Sequence, residues 1–114
     1  MDTLQLRQRI VRSTIRLEER TRNIRKPEKY VYREKMYEAY GNLLRFCIKA
    51  NKSRGKTRRD LQMDMDVELD VLRSFVDTAV SPEDHLISPG LHEVWSKELN
   101  EIGRMLGGWI NSSE

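Results

Sequence analysis

The sequence predicts an all-α fold, an up-down-up-down four-helix bundle. Apolar residues recur every three or four positions over four stretches, and turn-forming residues separate those stretches at Lys26-Pro27, Asn51 to Gly55, and Ser81-Pro82 through Ser88-Pro89-Gly90. The stretches are matched in length, each roughly 20 to 25 residues, and short connections between equal helices place neighbours antiparallel. The 114 residues suit a single domain, residues 1–114, able to bury a sizeable core.

The predicted helices run over about 3–25, 27–51, 57–79 and 89–111. In the first, Leu4, Leu6, Ile10, Val11, Ile15, Leu17 and Ile24 fall within one broad face at 100° per residue, with Arg9, Arg12, Arg16 and Arg20 opposite. In the second, Pro27 suits a first helical position, and Tyr32, Met36, Tyr37, Tyr40, Leu43, Leu44, Cys47 and Ile48 make the apolar face. Phe46 lies outside it and points to a further contact. The third contains a conflict, because residues Leu61 to Val71 alternate apolar and polar as a half-buried strand would. Helix is the better reading: Asp, Leu and Met are poor strand formers, a lone strand would have no partner, and Leu61, Met65, Leu69, Leu72, Val76 and Ala79 also share one helical stripe. Met63 and Val67 are then left on another face, as a subunit interface would leave them. The fourth places Leu91, Val94, Trp95, Leu99, Ile102, Met105, Leu106 and Trp109 together. Gly103 and Gly107 sit one turn apart at its edge. Glycine is costly inside a helix, so this spacing predicts close approach of a neighbouring helix, and a bulky residue at Gly107 is expected to disrupt fold or assembly.

The net charge of +3 conceals a division. Residues 1–59 carry 18 of the 21 Lys and Arg against six acids, while residues 60–114 carry three basics against twelve acids. A basic half of +12 and an acidic half of −9 point to a polyanionic partner, to pairing of the halves within or between subunits, or to both. The single Cys47 cannot close an intramolecular disulfide, no leader opens the chain, and no apolar run approaches membrane-spanning length. The expected compartment is the cytoplasm.

Motifs with catalytic overtones fail on context. Ala50-Asn-Lys-Ser-Arg-Gly55-Lys56-Thr57 fits a relaxed phosphate-loop pattern but follows a helix and lacks the usual first glycine. His92-Glu93 has Ser96 where a zinc-protease helix needs its second histidine. Asp64, Asp66, Glu68 and Asp70 are separated by apolar residues, with no glycine turn for calcium. Cys47 reads as a packed thiol, and His85 and His92 as loop and helix-surface residues. No catalytic constellation emerges, and no cofactor or metal is expected. The expected activity is binding.

Two groups of cations remain. Arg9, Arg12, Arg16 and Arg20 recur at intervals of three or four and form a helical stripe. Lys49, Lys52, Arg54, Lys56, Arg58 and Arg59 cluster over the second connection. Both can engage phosphates of a nucleic-acid backbone, with weak sequence preference because no aromatic platform accompanies the loop.

The last helix carries the most specific stretch. Ile87-Ser88-Pro89 leading into Glu101-Ile102-Gly103-Arg104-Met105-Leu106-Gly107-Gly108-Trp109-Ile110 resembles the end of the accessory variability determinant, Avd, of diversity-generating retroelements. Asp66-x-x-Leu69-x-x-Leu72-Arg73 is similar to that family's third-helix pattern, and Lys52-Ser53 stands at a comparable place in the second connection. The resemblance covers about residues 33 to 110 and is strongest from Leu72 onward. It implies a four-helix bundle that assembles as a homopentamer. It also implies an accessory, non-enzymatic role: binding the reverse transcriptase and its template RNA or RNA/DNA hybrid, in support of the mutagenic copying into cDNA that underlies mutagenic homing. Gly103, Arg104, Gly107, Gly108 and Trp109 are then assigned to packing and assembly. The family's better-known members are basic overall, whereas the second half here is acidic. Bundle proteins found as insertions near ribosomal RNA genes share the architecture, and the alternative they represent is a structural protein that binds only protein.

Overall fold

A computed structural model of the chain describes residues 3–81 and 86–112; His85 and Pro82 lie outside the described residues. The elements are α1 (Thr3–Ile15), α2 (Leu17–Thr21), α3 (Glu28–Asn51), α4 (Gly55–Val80) and α5 (Pro89–Ser112). α1 and α2 form one arm of the bundle, interrupted at Arg16. The backbone stays right-handed through the break, with φ −74° and ψ −10° at Arg16, whose carbonyl accepts from Arg20 N at 3.0 Å. Helices pack as neighbours around a square: the first arm on α3, α3 on α4, α4 on α5, and α5 back on α1. α1 and α4 therefore occupy opposite corners. The rod measures 44 × 22 × 21 Å, as helices of 24 to 26 residues at 1.5 Å per residue dictate.

The third stretch is helix from Gly55 to Val80, and Met65, Leu69, Leu72, Val76 and Ala79 are buried, as the helical stripe requires. Its two-residue alternation arises because Met63 and Val67 lie on the outer face, 50% and 60% exposed.

The first arm departs most from expectation. Helix stops at Thr21 rather than Arg25, where Ile24 N bonds Thr21 O at 3.1 Å and the Thr21 hydroxyl turns back to Leu17 O at 2.8 Å. Its buried face is also rotated: Leu6, Ile10, Ser13, Leu17, Thr21 and Ile24 point inward, while Leu4 and Ile15 point out. In α3, Ala39 and Ala50 take buried places and Tyr37 is exposed. Phe46 is half-buried against the core, and Val94 of α5 faces solvent. Pro27 caps α3 from outside, one position before the first helical residue.

Ser13 is inward because a polar chain crosses the core. Trp95 Nε1 donates to Tyr40 Oη at 3.0 Å, and Tyr40 Oη lies 2.5 Å from Ser13 Oγ. Ser13 in turn hydrogen-bonds Glu98. An ionised carboxylate only accepts, so the donors run in one direction, from Trp95 through Tyr40 and Ser13 to Glu98. Burial raises the Tyr40 pKa, so the phenol remains protonated and able to donate. Every member of the chain is satisfied, which is the condition under which a polar core group is tolerated.

Candidate nucleic-acid interface

The basic connection is built by local backbone chemistry. α3 ends at Asn51; Lys52 N reaches Ile48 O at 3.3 Å, Ser53 N reaches Ala50 O at 3.1 Å, and Ser53 Oγ returns to Lys49 O at 2.8 Å. Arg54 is extended, and Gly55 then takes φ +58°, a left-handed value natural to glycine, to open α4. Three residues thus join two long helices. Arg58, one turn into α4, folds back: Nε donates to Ala50 O at 3.0 Å and Nη2 to Asn51 O at 3.4 Å. Its guanidinium also lies 5.8 Å from the centre of the Trp109 ring, which is buried. Arg58 therefore adds side-chain donors to the last carbonyls of α3, Ala50 O beside its bond from Ser53 N, and ties them to the end of α5.

The other cations of the cluster face outward. Lys49, Lys52, Arg54, Lys56 and Arg59 are exposed. Lys56 pairs with Asp60 at 2.6 Å, with both side chains well solvated, so the pair is weak. Lys49, Lys52, Ser53 and Thr57 line an open depression of about 530 Å³, together with Asp60, Leu61 and Asp64. α1 begins at this same end, where Thr3 Oγ1 donates to Asn51 Oδ1 at 2.8 Å. Arg7 stands there beside Lys52 around a smaller cavity of about 150 Å³. The result is a positively charged end to the rod.

The arginine stripe does not behave as one surface. Arg20 is turned inward, its side chain 8% exposed, with Nη1 and Nη2 2.8 and 3.0 Å from the two oxygens of Glu98 and its guanidinium 5.3 Å from the Trp95 ring centre. Arg16 joins Glu98 at 2.6 Å. Burial pushes Glu98 up, but the bonds from Arg20 and Ser13, the Arg20 charge and the bond from Arg16 outweigh it and leave the carboxyl below its ordinary value. Arg104 forks onto Glu101 at 3.0 and 2.5 Å and holds that carboxyl low, with a smaller contribution from the charge of Arg9. Arg9 and Arg12 are exposed. Half of the stripe thus anchors α5.

The two glycines also separate. A Cβ on Gly103 would strike the Arg73 guanidinium and stand 3.2 Å from Leu69 Cδ2, whereas one on Gly107 would meet nothing within 4 Å. The close approach is made by side chains of α4, and only at Gly103. Within one chain, there is room for a Cβ at Gly107. Gly108 is exposed. Leu69 and Arg73 belong to the third-helix pattern and Gly103 to the last-helix stretch, so the two segments that carry the family resemblance touch at this point.

The segment before Gly55-Lys56-Thr57 is helix α3, not the strand a phosphate loop needs. Cys47 is buried, and burial pushes its thiol up to about 11. His92 sits on the surface, 2.8 Å from Asp77. Among the described residues no helix is long and apolar enough to cross a membrane.

Fold and site together define a helical bundle protein whose chemistry is that of a charged surface. A family model described as bAvd-like matches residues 4–113, and the chain belongs to that family, in agreement with the resemblance to the accessory variability determinants. No curated protein and no solved structure gives a match.

Proposed function

We propose that this protein is the accessory protein of a diversity-generating retroelement. It works without catalysis, as a homopentamer that binds the reverse transcriptase and its template RNA or RNA/DNA hybrid, and it supports the mutagenic synthesis of cDNA. The observation that carries this reading is the basic end of the bundle, where Lys49, Lys52, Arg54 and Arg59 project outward in a chain of the bAvd-like family. Cations set around a helix end contact backbone phosphates and give affinity with little sequence preference.

The test is RNA binding by the protein in which Lys49, Lys52, Arg54 and Arg59 are all replaced by Gln. Affinity should fall, and the slope of log affinity against log salt should shallow by about 0.7 for each single-strand phosphate that is no longer neutralised. Unchanged affinity and slope would remove this end from the RNA site. A wild-type protein with no RNA affinity at physiological salt would support the protein-only bundle instead.

A further inference from the structure

Tyr30 and Tyr37 are turned to solvent on α3, 55% and 40% exposed, and neither belongs to the core. At 100° per residue Tyr30, Tyr37, Gly41, Arg45 and Lys52 fall within an arc of about 80°, facing away from the buried side of the helix. Arg45 and Lys52 are exposed, so the line runs from two rings at the far end of the bundle to the cations of the basic end. Gly41 keeps it open in the middle. A Cβ there would meet nothing within 4 Å, so no internal neighbour requires glycine at a mid-helix place where it lowers stability. The two borders of the line differ in sign. Toward the first arm stands Arg33, whose Nε donates to Thr21 Oγ1 at 2.9 Å, and beyond it the exposed Arg22, Arg25 and Lys26 of the turn; Glu18 on this side is met by Arg22 at 3.9 Å. Toward α4 stand Glu34 and Glu38, the latter beside Glu68 around the depression between α3 and α4. Lys26 also lies over the Tyr30 ring, its Nζ 5.5 Å from the ring centre.

We infer that this side of α3 is a track for single-stranded nucleic acid, with one base stacked on Tyr30 and another on Tyr37. The sugar-phosphate chain follows the border next to the first arm and ends at Arg7 and Lys52, which line the cavity between α1 and α3. The inference rests on the RNA-binding reading above and names the kind of strand it takes. Exposed rings beside a line of cations suit a single strand, because every base has a face to stack and every nucleotide a phosphate to neutralise. A duplex offers the phosphates alone, its bases being stacked on one another. The rings are seven residues apart, about 10 Å along the axis, so each takes a base of its own. Charge sets the side on which the strand lies: phosphates are drawn to Arg22, Arg25 and Lys26 and repelled by Glu34 and Glu38. The same cations, and the continuity with Lys52, favour a nucleic acid over a protein as the partner of these rings. The α3–α4 connection, which has no aromatic residue of its own, then holds phosphates, while α3 selects for unpaired bases.

The test uses the full chain and a fluorescent single-stranded RNA of mixed sequence, beside the duplex of that RNA with its complement. Tyr30→Ala and Tyr37→Ala, both at exposed positions, should each lower single-strand affinity about tenfold, keep duplex affinity, and leave the salt slope unchanged because no phosphate contact is lost. Tyr30→Phe and Tyr37→Phe should retain the affinity, since the ring face is kept. Circular dichroism and thermal unfolding verify the fold of each variant. Arg25→Gln combined with Lys26→Gln should instead shallow the single-strand slope by about 0.7 for each phosphate released. The track is overturned if both alanine variants bind the single strand like wild type, if duplex affinity falls as far as single-strand affinity, or if Phe is as damaging as Ala. It is overturned too if the alanine variants keep RNA and lose the reverse transcriptase, which would make the rings a protein contact. A wild-type protein with no affinity for either RNA would instead overturn the RNA-binding reading, and this track with it.

Discussion

Arg16 and Arg20 of the first arm and the outward cations of the α3–α4 connection carry the same charge in the same half of the chain, yet they do opposite things. Arg20 is held between Glu98 and the Trp95 ring, and Arg16 shares the same carboxylate. Lys49, Lys52, Arg54 and Arg59 face water. A basic residue is therefore a candidate for a polyanion only where the fold leaves it without an internal acid. Here a single glutamate, 78 residues downstream of Arg20, decides the matter.

The strongest way to break this contrast is Arg20→Ala. It leaves Glu98 inside with much of its compensation gone, and unfolding free energy in urea should drop by about 3 kcal/mol, with the salt slope of RNA binding unchanged. If stability held and the slope shallowed, Arg20 would belong to the polyanion surface.

Acid should produce the next largest effect. The Glu98 pKa is lowered on folding, so its stabilisation is complete above the unfolded glutamate value, about 4.3, and is lost as pH falls through the lower folded value. The midpoint of thermal unfolding should decline on acidification through that window. Glu98→Gln should flatten this part of the profile, besides lowering stability at neutral pH.

Arg58 and Arg59 sharpen the contrast at its finest, since they are adjacent in sequence. Arg58→Ala removes two donors from the carbonyls at the end of α3 and should cost about 1 kcal/mol. Arg59→Ala should stay within about 0.5 kcal/mol of wild type yet reduce RNA affinity.

Helix number, order and most boundaries are legible in the sequence because periodicity and turn residues are local signals, and the α4 stripe is the clearest case. The rotation of α1 is not. Counting apolar residues favours Leu4 and Ile15, but Ser13 is drawn inward by Tyr40 and Glu98, partners 27 and 85 residues away that no local pattern reveals. The outward stripe fails at Arg20 for the same reason. A partial signal exists: Leu6, Ile10, Leu17 and Ile24 keep seam spacing if one polar place at Ser13 is allowed. The separate fates of Gly103 and Gly107 depend on where Arg73 lies, which spacing within α5 cannot express.

Cys47 leaves the protein with a clock of its own. The sole thiol of the chain is 1% exposed, beneath the first arm and close to the basic end. With its pKa pushed up to about 11, only about one molecule in ten thousand carries the thiolate at neutral pH. A thiol reagent in excess must wait for the first arm to lift from α3. The speed of its reaction reads how often that happens, and whether bound RNA or a neighbouring copy holds the arm down.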